Sequence, residues 1–349
     1  MSTNILVQKL DEGSVICAEG FLFELERRGY LAAGEFVPEV ALECPEALEV
    51  LHRDFQHAGS DIVQAFTYNG HREKMRVAGK EHLLEPLNRA ALQIARNVAM
   101  KASGNLVAGN ISNSNIWDPD DREAQRTVRA MFAEMTGWAV DEGVDVMIGE
   151  TFYYAGEAFA ALEAIQAHGL PAVVTIAPMA NNRMMDGPGI VETCRELERR
   201  GADVVGMNCF RGPCTMMPWL RQIREAVSCH VAALPVPFRT TDAEPTFFNL
   251  SDGPGCTCPS PHRRPFPTAL DPLSCNRYEM RAFAEEAYAL GIRYLGVCCG
   301  AAPMHIREVA VAVGREPRAA RFAERMENHF MYGSNERLPA HIKSLGEHA

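Results

Sequence analysis

The sequence predicts an α/β protein built as a closed (β/α)8 TIM barrel, and three observations carry the prediction. Short apolar, β-rich runs alternate with longer helical segments along the chain, there are eight such runs, and each leads into a helical pattern rather than a second strand. Near-continuously apolar strands separated by helices signal parallel pairing with both faces covered. Eight of them favour a closed barrel over an open doubly wound sheet. A length of 349 residues suits one such barrel as a single large domain.

The first strand covers 14–19 and leads into a helix starting at Phe21, whose end suits Gly29. A second helix opens on Pro45 and carries Ala47, Leu48, Leu51 and Phe55 at three- and four-residue spacings before the strand 61–67. Strands 105–109, 145–150 and 172–176 each follow a periodic helix that ends near a glycine, at Gly104, Gly143 and Gly169. Strands 203–208, 231–236 and 292–297 complete the set, and 303–313 forms the last helix of a barrel expected to span 1–315. Two segments interrupt this pattern. Residues 238–271, rich in Pro, Gly, Ser and Thr, make a long loop before strand eight, expected over the barrel mouth. Residues 316–349 form a C-terminal extension with Phe322, Met326, Phe330, Met331 and Tyr332; it is expected to dock on its own barrel or on a second copy, and a homo-oligomer is the expected assembly.

The composition, 47% hydrophobic and 23% charged, is that of a globular protein with a sizeable core. A formal net charge of −11 argues against a nucleic-acid partner, which requires dense Lys and Arg surface. No apolar run reaches the ~18 residues of a membrane span, so no membrane partner is expected. Nor does a charged-then-apolar leader precede Met1-Ser2-Thr3, and a cytoplasmic location follows as the expectation. Eleven cysteines, an odd number, fall short of disulfide-scaffold density and in a reduced compartment point to metal or catalytic use.

In a barrel of this class the chemistry sits at the C-terminal ends of the strands. Glu19, Thr67 to Asn69, Asn110, Glu150, Asn208, Cys209, Cys298 and Cys299 all fall there. Cys209 ends Met207-Asn208-Cys209, and two adjacent cysteines end strand eight in Gly296-Val297-Cys298-Cys299-Gly300. Adjacent cysteines in an extended chain point opposite ways, so joint ligation requires a turn, which Gly300 permits. Three thiolates then converge on one metal and leave a fourth position open, as a catalytic zinc site requires. The competing reading treats the same cysteines as small buried hydrophobes. Cys256, Cys258 and His262 also look metal-like, but they lie in a loop without Cys-x-x-Cys spacing. The remaining cysteines read as core or surface thiols, with Cys17 and Cys214 nearest the mouth.

The sequence resembles the zinc-dependent homocysteine S-methyltransferases, most closely their betaine–homocysteine branch. The resemblance runs from about Val15 to Val311. It is carried by Phe21-x-Phe23-x-Leu25-Glu26-x-Arg28-Gly29-Tyr30, Pro45-Glu46-Ala47 with Leu51-His52-Arg53, Phe66-Thr67, Gly206-x-Asn208-Cys209, and the segment from Ala287-Tyr288 through Leu290-Gly291 to Cys298-Cys299-Gly300. It implies a (β/α)8 barrel with Zn2+ on Cys209, Cys298 and Cys299, and transfer of a methyl group from a small onium donor to homocysteine, giving methionine. Three thiolates on Zn2+ leave a net charge near −1, so an entering thiol can lose its proton and stay electron-rich.

The same resemblance implies that carboxylates near strands one and four hold the amino-acid end of homocysteine. Glu150 matches at strand four, whereas Ala18-Glu19-Gly20 replaces the usual Asp-Gly at strand one, so Glu19 is the substitute candidate. Asn208 is expected to shape the metal loop. Phe36, Asn69 and Thr151 occupy positions where the betaine branch cages a quaternary ammonium with aromatic rings, and Tyr68 lies beside them. The weakened cage leaves the donor open between betaine and a sulfonium such as S-methylmethionine or dimethylsulfoniopropionate. Methyl exchange with a corrinoid protein and a non-catalytic zinc-containing ligand-binding barrel remain alternative readings.

Overall fold

A computed structural model describes residues 4–252 and 264–343. Its strands are β1 (Val15–Ala18), β2 (Ile62–Gln64), β3 (Leu106–Ser112), β4 (Val146–Phe152), β5 (Ala172–Ile176), β6 (Val204–Asn208), β7 (His230–Leu234) and β8 (Tyr294–Val297). They pair in parallel in chain order, and β8 returns to β1 to close the barrel. All eight expected strands are therefore present. Almost every strand residue is buried, because side chains alternate between the barrel interior and the surrounding helices.

Some ends differ from expectation for local reasons. β2 stops at Gln64 because the Thr67 N–H turns back to the Ala65 carbonyl at 2.9 Å, which takes the chain out of the ladder. β3 and β4 run further, pairing Ser112 with Glu150, and β4 is irregular between Gly149 and Phe152. This irregularity redirects the end of β4 exactly where Glu150 and Thr151 stand.

A repeated device pins the opposite end of the barrel. Asp61, Asp145 and Asp203 precede β2, β4 and β6, and each carboxylate accepts a backbone N–H of the preceding strand: Ile16 at 2.8 Å, Val107 at 2.8 Å and Ala172 at 2.7 Å. A one-residue slip would break these bonds and turn the interior side chains outward. Asp61 also pairs with Arg315, tying the chain after the last barrel helix to this face.

The described parts of the long loop cover the mouth with aromatic rings. Phe247 lies 4.5 Å from Phe248 and 4.9 Å from Phe266, and Phe210 lies 4.8 Å from Phe248. Cys256, Cys258 and His262 fall outside the described residues. Beyond the helix Pro303–Ala312, the short turn Arg318–Phe322 rests on the helices Pro45–Ala58 and Pro303–Ala312, while Phe322, Met326, Phe330 and Tyr332 are exposed. Among the described residues no helix is long and apolar enough to cross a membrane.

Candidate metal centre

Cys209 leaves β6, and Cys298 and Cys299 leave β8, with one Sγ from each lying within 4.8 Å of the others. Tetrahedral sulfur ligands about 2.3 Å from a zinc ion stand roughly 3.8 Å apart, so the set fits a shared metal. The local backbone is bent to achieve this. Cys209 and Phe210 have φ of 55° and 54°, and the Arg211 N–H closes a tight turn on the Cys209 carbonyl at 2.6 Å. Positive φ in non-glycine residues costs roughly 1–3 kcal/mol each and persists only where the surroundings enforce it. Three bonds enforce it here: Cys209 N–H to Leu234 O (2.9 Å), Phe247 N–H to Phe210 O (2.7 Å) and Val236 N–H to Arg211 O (3.0 Å).

Across the site, Gly300 adopts φ 93°, and a Cβ there would meet the Phe238 ring at 2.6 Å. Only glycine satisfies both constraints, and the resulting turn lets Cys298 and Cys299 join the same cluster. Burial pushes the Cys209 thiol up, but hydrogen bonds from the Cys298 and Cys299 thiols and from the Phe210 and Cys299 backbone outweigh it and hold Cys209 well below the ordinary range. The other two thiols are held high, Cys298 chiefly by burial and Cys299 chiefly by its hydrogen bond with Cys209. A soft cation bound by all three sulfurs is the group that would release the thiol protons.

A buried acidic network adjoins the sulfurs. Gln64 and Asn110 donate to Glu150 Oε1 at 2.8 and 2.6 Å. The Asn208 amide nitrogen lies 2.8 Å from Glu150 Oε2, 3.3 Å from Glu19 Oε2 and 3.7 Å from Cys298 Sγ, while its oxygen accepts from Thr151 N and Thr175 Oγ1, both at 2.9 Å. Burial, and then the neighbouring Cys209 charge, raise Glu150 to about 7 against its hydrogen bonds. Burial and then Glu150 raise Glu19, whose Oε1 is buried without a partner among the described residues. Two carboxylates close to each other and to Cys298 favour a cationic ligand such as an ammonium group.

The structure separates the remaining candidates. Tyr68 joins Glu19, Glu150 and Cys299 around a narrow cavity, together with Phe21, Leu22, Gln64 and Phe66. Phe36 and Asn69 do not line it; they meet each other through Asn69 Nδ2 and the Phe36 carbonyl at 3.2 Å. Thr151 belongs to the acidic network, its hydroxyl 2.9 Å from the Asn208 amide nitrogen. All three have positive φ, between 52° and 63°. Cys17 lies inside the barrel against Gln64, and Cys214 is exposed; neither joins the sulfur cluster.

Gln64, Thr175, Asn113 and Arg211 are site neighbours that the sequence reading does not single out. Gln64 and Thr175 carried a usable signal, each being a polar residue at or near the end of an otherwise apolar strand. Asn113 accepts from the Tyr68 hydroxyl at 3.1 Å and donates to Asn115, which also accepts from Tyr153, so a polar chain links these four residues.

Residues 15–313 match the family model described as homocysteine S-methyltransferase. The chain is 33% identical to betaine–homocysteine S-methyltransferase 1 of Danio rerio over 347 residues, 97% of this chain and 82% of that protein. It is 32% identical to the S-methylmethionine–homocysteine S-methyltransferase of Rattus norvegicus, again over 347 residues, 97% of this chain and 88% of that one. The fold resembles the metallated form of the homocysteine methyltransferase MmuM from Escherichia coli, with a TM-score of 0.68 at 18% identity over 87% of this chain and 98% of that one. With its family match spanning the whole barrel and relatives this similar over more than four fifths of their length, the chain belongs to the homocysteine S-methyltransferase family and is an S-methyltransferase.

Proposed function

We propose that the protein moves a methyl group from a small onium donor, betaine or a sulfonium such as S-methylmethionine or dimethylsulfoniopropionate, to the thiolate of homocysteine, giving methionine. The observation that carries this reading is the cluster of three thiols, with sulfurs within 4.8 Å of one another, beside two buried carboxylates. Cys209, Cys298 and Cys299 would hold Zn2+, which when bound supplies a soft Lewis-acid centre that lowers the pKa of an entering thiol. The relatives named for betaine and for S-methylmethionine support both donor classes equally.

In this reading Glu19 and Glu150 receive the acceptor's ammonium group, whose positive charge favours their ionised forms. Asn208 spans both carboxylates and Cys298, so it fixes the amino-acid end relative to the sulfurs. Tyr68 stands beside the donor, with Phe36, Asn69 and Thr151 shaping the surrounding wall. The rings of Phe210, Phe247, Phe248 and Phe266 pack on one another in an apolar cluster next to Cys209. The acceptor sulfur forms the new S–C bond as the donor's C–N or C–S bond breaks, and the electron pair leaves with a neutral amine or thioether. No general acid is required, so positioning is the protein's main contribution.

Residues 316–349 are assigned to self-association through the exposed Phe322, Met326, Phe330 and Tyr332, and light scattering of the purified chain reads the oligomer directly. The functional reading is tested by incubating zinc-loaded protein with homocysteine and each donor while following methionine. Formation with at least one donor is expected; none across the panel would contradict it.

A further inference from the structure

Two residues past Cys209, Arg211 places a charged side chain at the C-terminal face of the barrel that is only 2% exposed. Its Nη2 donates to the Met179 carbonyl at 2.8 Å and to Asn182 Oδ1 at 2.7 Å, both in the loop after β5. Its Nε is buried and has no partner among the described residues, and its recorded acceptors are neutral. A buried cation without a counter-charge is among the costliest features a protein can hold, and two carbonyl oxygens do not neutralise it. A strut joining two loops could use a neutral donor. A guanidinium adds a fork matched to a carboxylate.

The acidic pair is not that counter-charge. Among the described residues Arg211 forms no ion pair with Glu19 or Glu150; its recorded acceptors are the Met179 carbonyl and Asn182 Oδ1. An amino-acid acceptor carries ammonium and carboxylate on one carbon, so an acceptor seated on those glutamates keeps its carboxylate beside them. The donor carries the other carboxylate available in the reaction. Betaine and S-methylmethionine, for which the relatives are named, each join a methylated onium centre to a carboxylate.

We infer that Arg211 binds the carboxylate of the methyl donor, selecting a zwitterionic onium acid over a simple onium cation. The inference rests on the proposed methyl transfer. It makes Arg211 a specificity-determining residue and leaves the donor's onium class free.

The test compares wild type, Arg211→Gln and Arg211→Lys, all zinc-loaded and checked for melting temperature and metal content. The donors are the best carboxylate-bearing one and carboxylate-free trimethylsulfonium. For Arg211→Gln the KM of the carboxylate donor should rise about 10- to 100-fold, with kcat and the homocysteine KM within about twofold and kcat/KM for trimethylsulfonium unchanged. Arg211→Lys should recover part of the loss. An unchanged donor KM, a rise confined to homocysteine, or equal losses with both donors would overturn the assignment. If Arg211→Gln does not fold, Arg211→Lys and wild type are compared on betaine against its neutral amide, where only wild type should discriminate strongly. If wild type turns over no donor, the methyl-transfer reading fails; isothermal titration of betaine and choline into wild type and Arg211→Lys then decides the inference, which predicts that betaine binding alone weakens.

Discussion

The two halves of the barrel mouth are built differently. The sulfur half comes from two short contiguous motifs, Asn208-Cys209 and Cys298-Cys299-Gly300, each followed by or ending in a tight turn with positive φ, at Cys209 and Phe210 and at Gly300. The other half, which the proposed function gives to the methyl donor, is assembled from single residues on several loops, Phe36, Tyr68, Asn69, Asn113, Asn115 and Tyr153, joined by hydrogen bonds between amides, hydroxyls and one backbone carbonyl. Chemistry common to a family needs fixed ligands, whereas substrate choice needs a wall that can change. Substitutions on the sulfur half should abolish turnover, and those on the donor half should redistribute it.

The largest effect is expected at the ligands. Cys209→Ser and Cys299→Ser should lose zinc and lower methionine formation by at least about 1,000-fold, a loss larger than that for a residue that only orients a ligand. Metal analysis and turnover check this together; zinc retention by both variants would break the contrast between the halves.

Next come the carboxylates that the proposed function gives to the acceptor. Glu150→Gln should raise the homocysteine KM by about 10- to 100-fold while leaving the donor KM nearly unchanged, because it removes one of two carboxylates facing the ammonium group. A larger change in the donor KM would place Glu150 in the wrong half.

Gly300→Ala should be milder in chemistry but clear in stability. The added methyl meets the Phe238 ring at 2.6 Å on a backbone with φ 93°. A loss of about 1–3 kcal/mol in chemical denaturation is expected, together with weaker zinc retention. An unchanged midpoint would mean that the turn relaxes without cost.

The smallest effect lies beneath the donor half. Glu157 is fully buried, accepts from the Ser114 N–H at 2.7 Å and from its hydroxyl, and leaves Oε2 unpartnered among the described residues. Burial raises its carboxyl to about 7. A raised folded-state value means that the stability associated with this group is present in full below its unfolded value of 4.5 and is lost as pH rises through about 7. Glu157→Gln should therefore match wild type near pH 4 and be more stable at pH 8, by roughly 1–3 kcal/mol. Thermal melts at both pH values read this; a variant less stable at pH 8 would show that the charged form is favoured.

The sequence exposes the two halves unequally, for physical reasons. Strand positions are legible because burial on both faces demands continuous apolar runs such as those before Asn208 and Cys298. The clustering of Cys209, Cys298 and Cys299 is legible because all three stand at the C-terminal ends of barrel strands, where the fold converges. The end of β2 at Gln64 is not, since it depends on a turn closed by backbone atoms. Nor are the positive φ values of Phe36, Thr151, Cys209 and Phe210, because no side chain there advertises a left-handed backbone. Arg211 reads as an ordinary charged loop residue until its burial and missing counter-charge are seen.

Thiol activation at this centre requires three protein sulfurs that leave room for a fourth from the substrate. X-ray absorption of the zinc-loaded protein measures the sulfur count directly. It should find three sulfur ligands alone and four once homocysteine is added. A count that stays at three with homocysteine bound would contradict thiol activation at this centre.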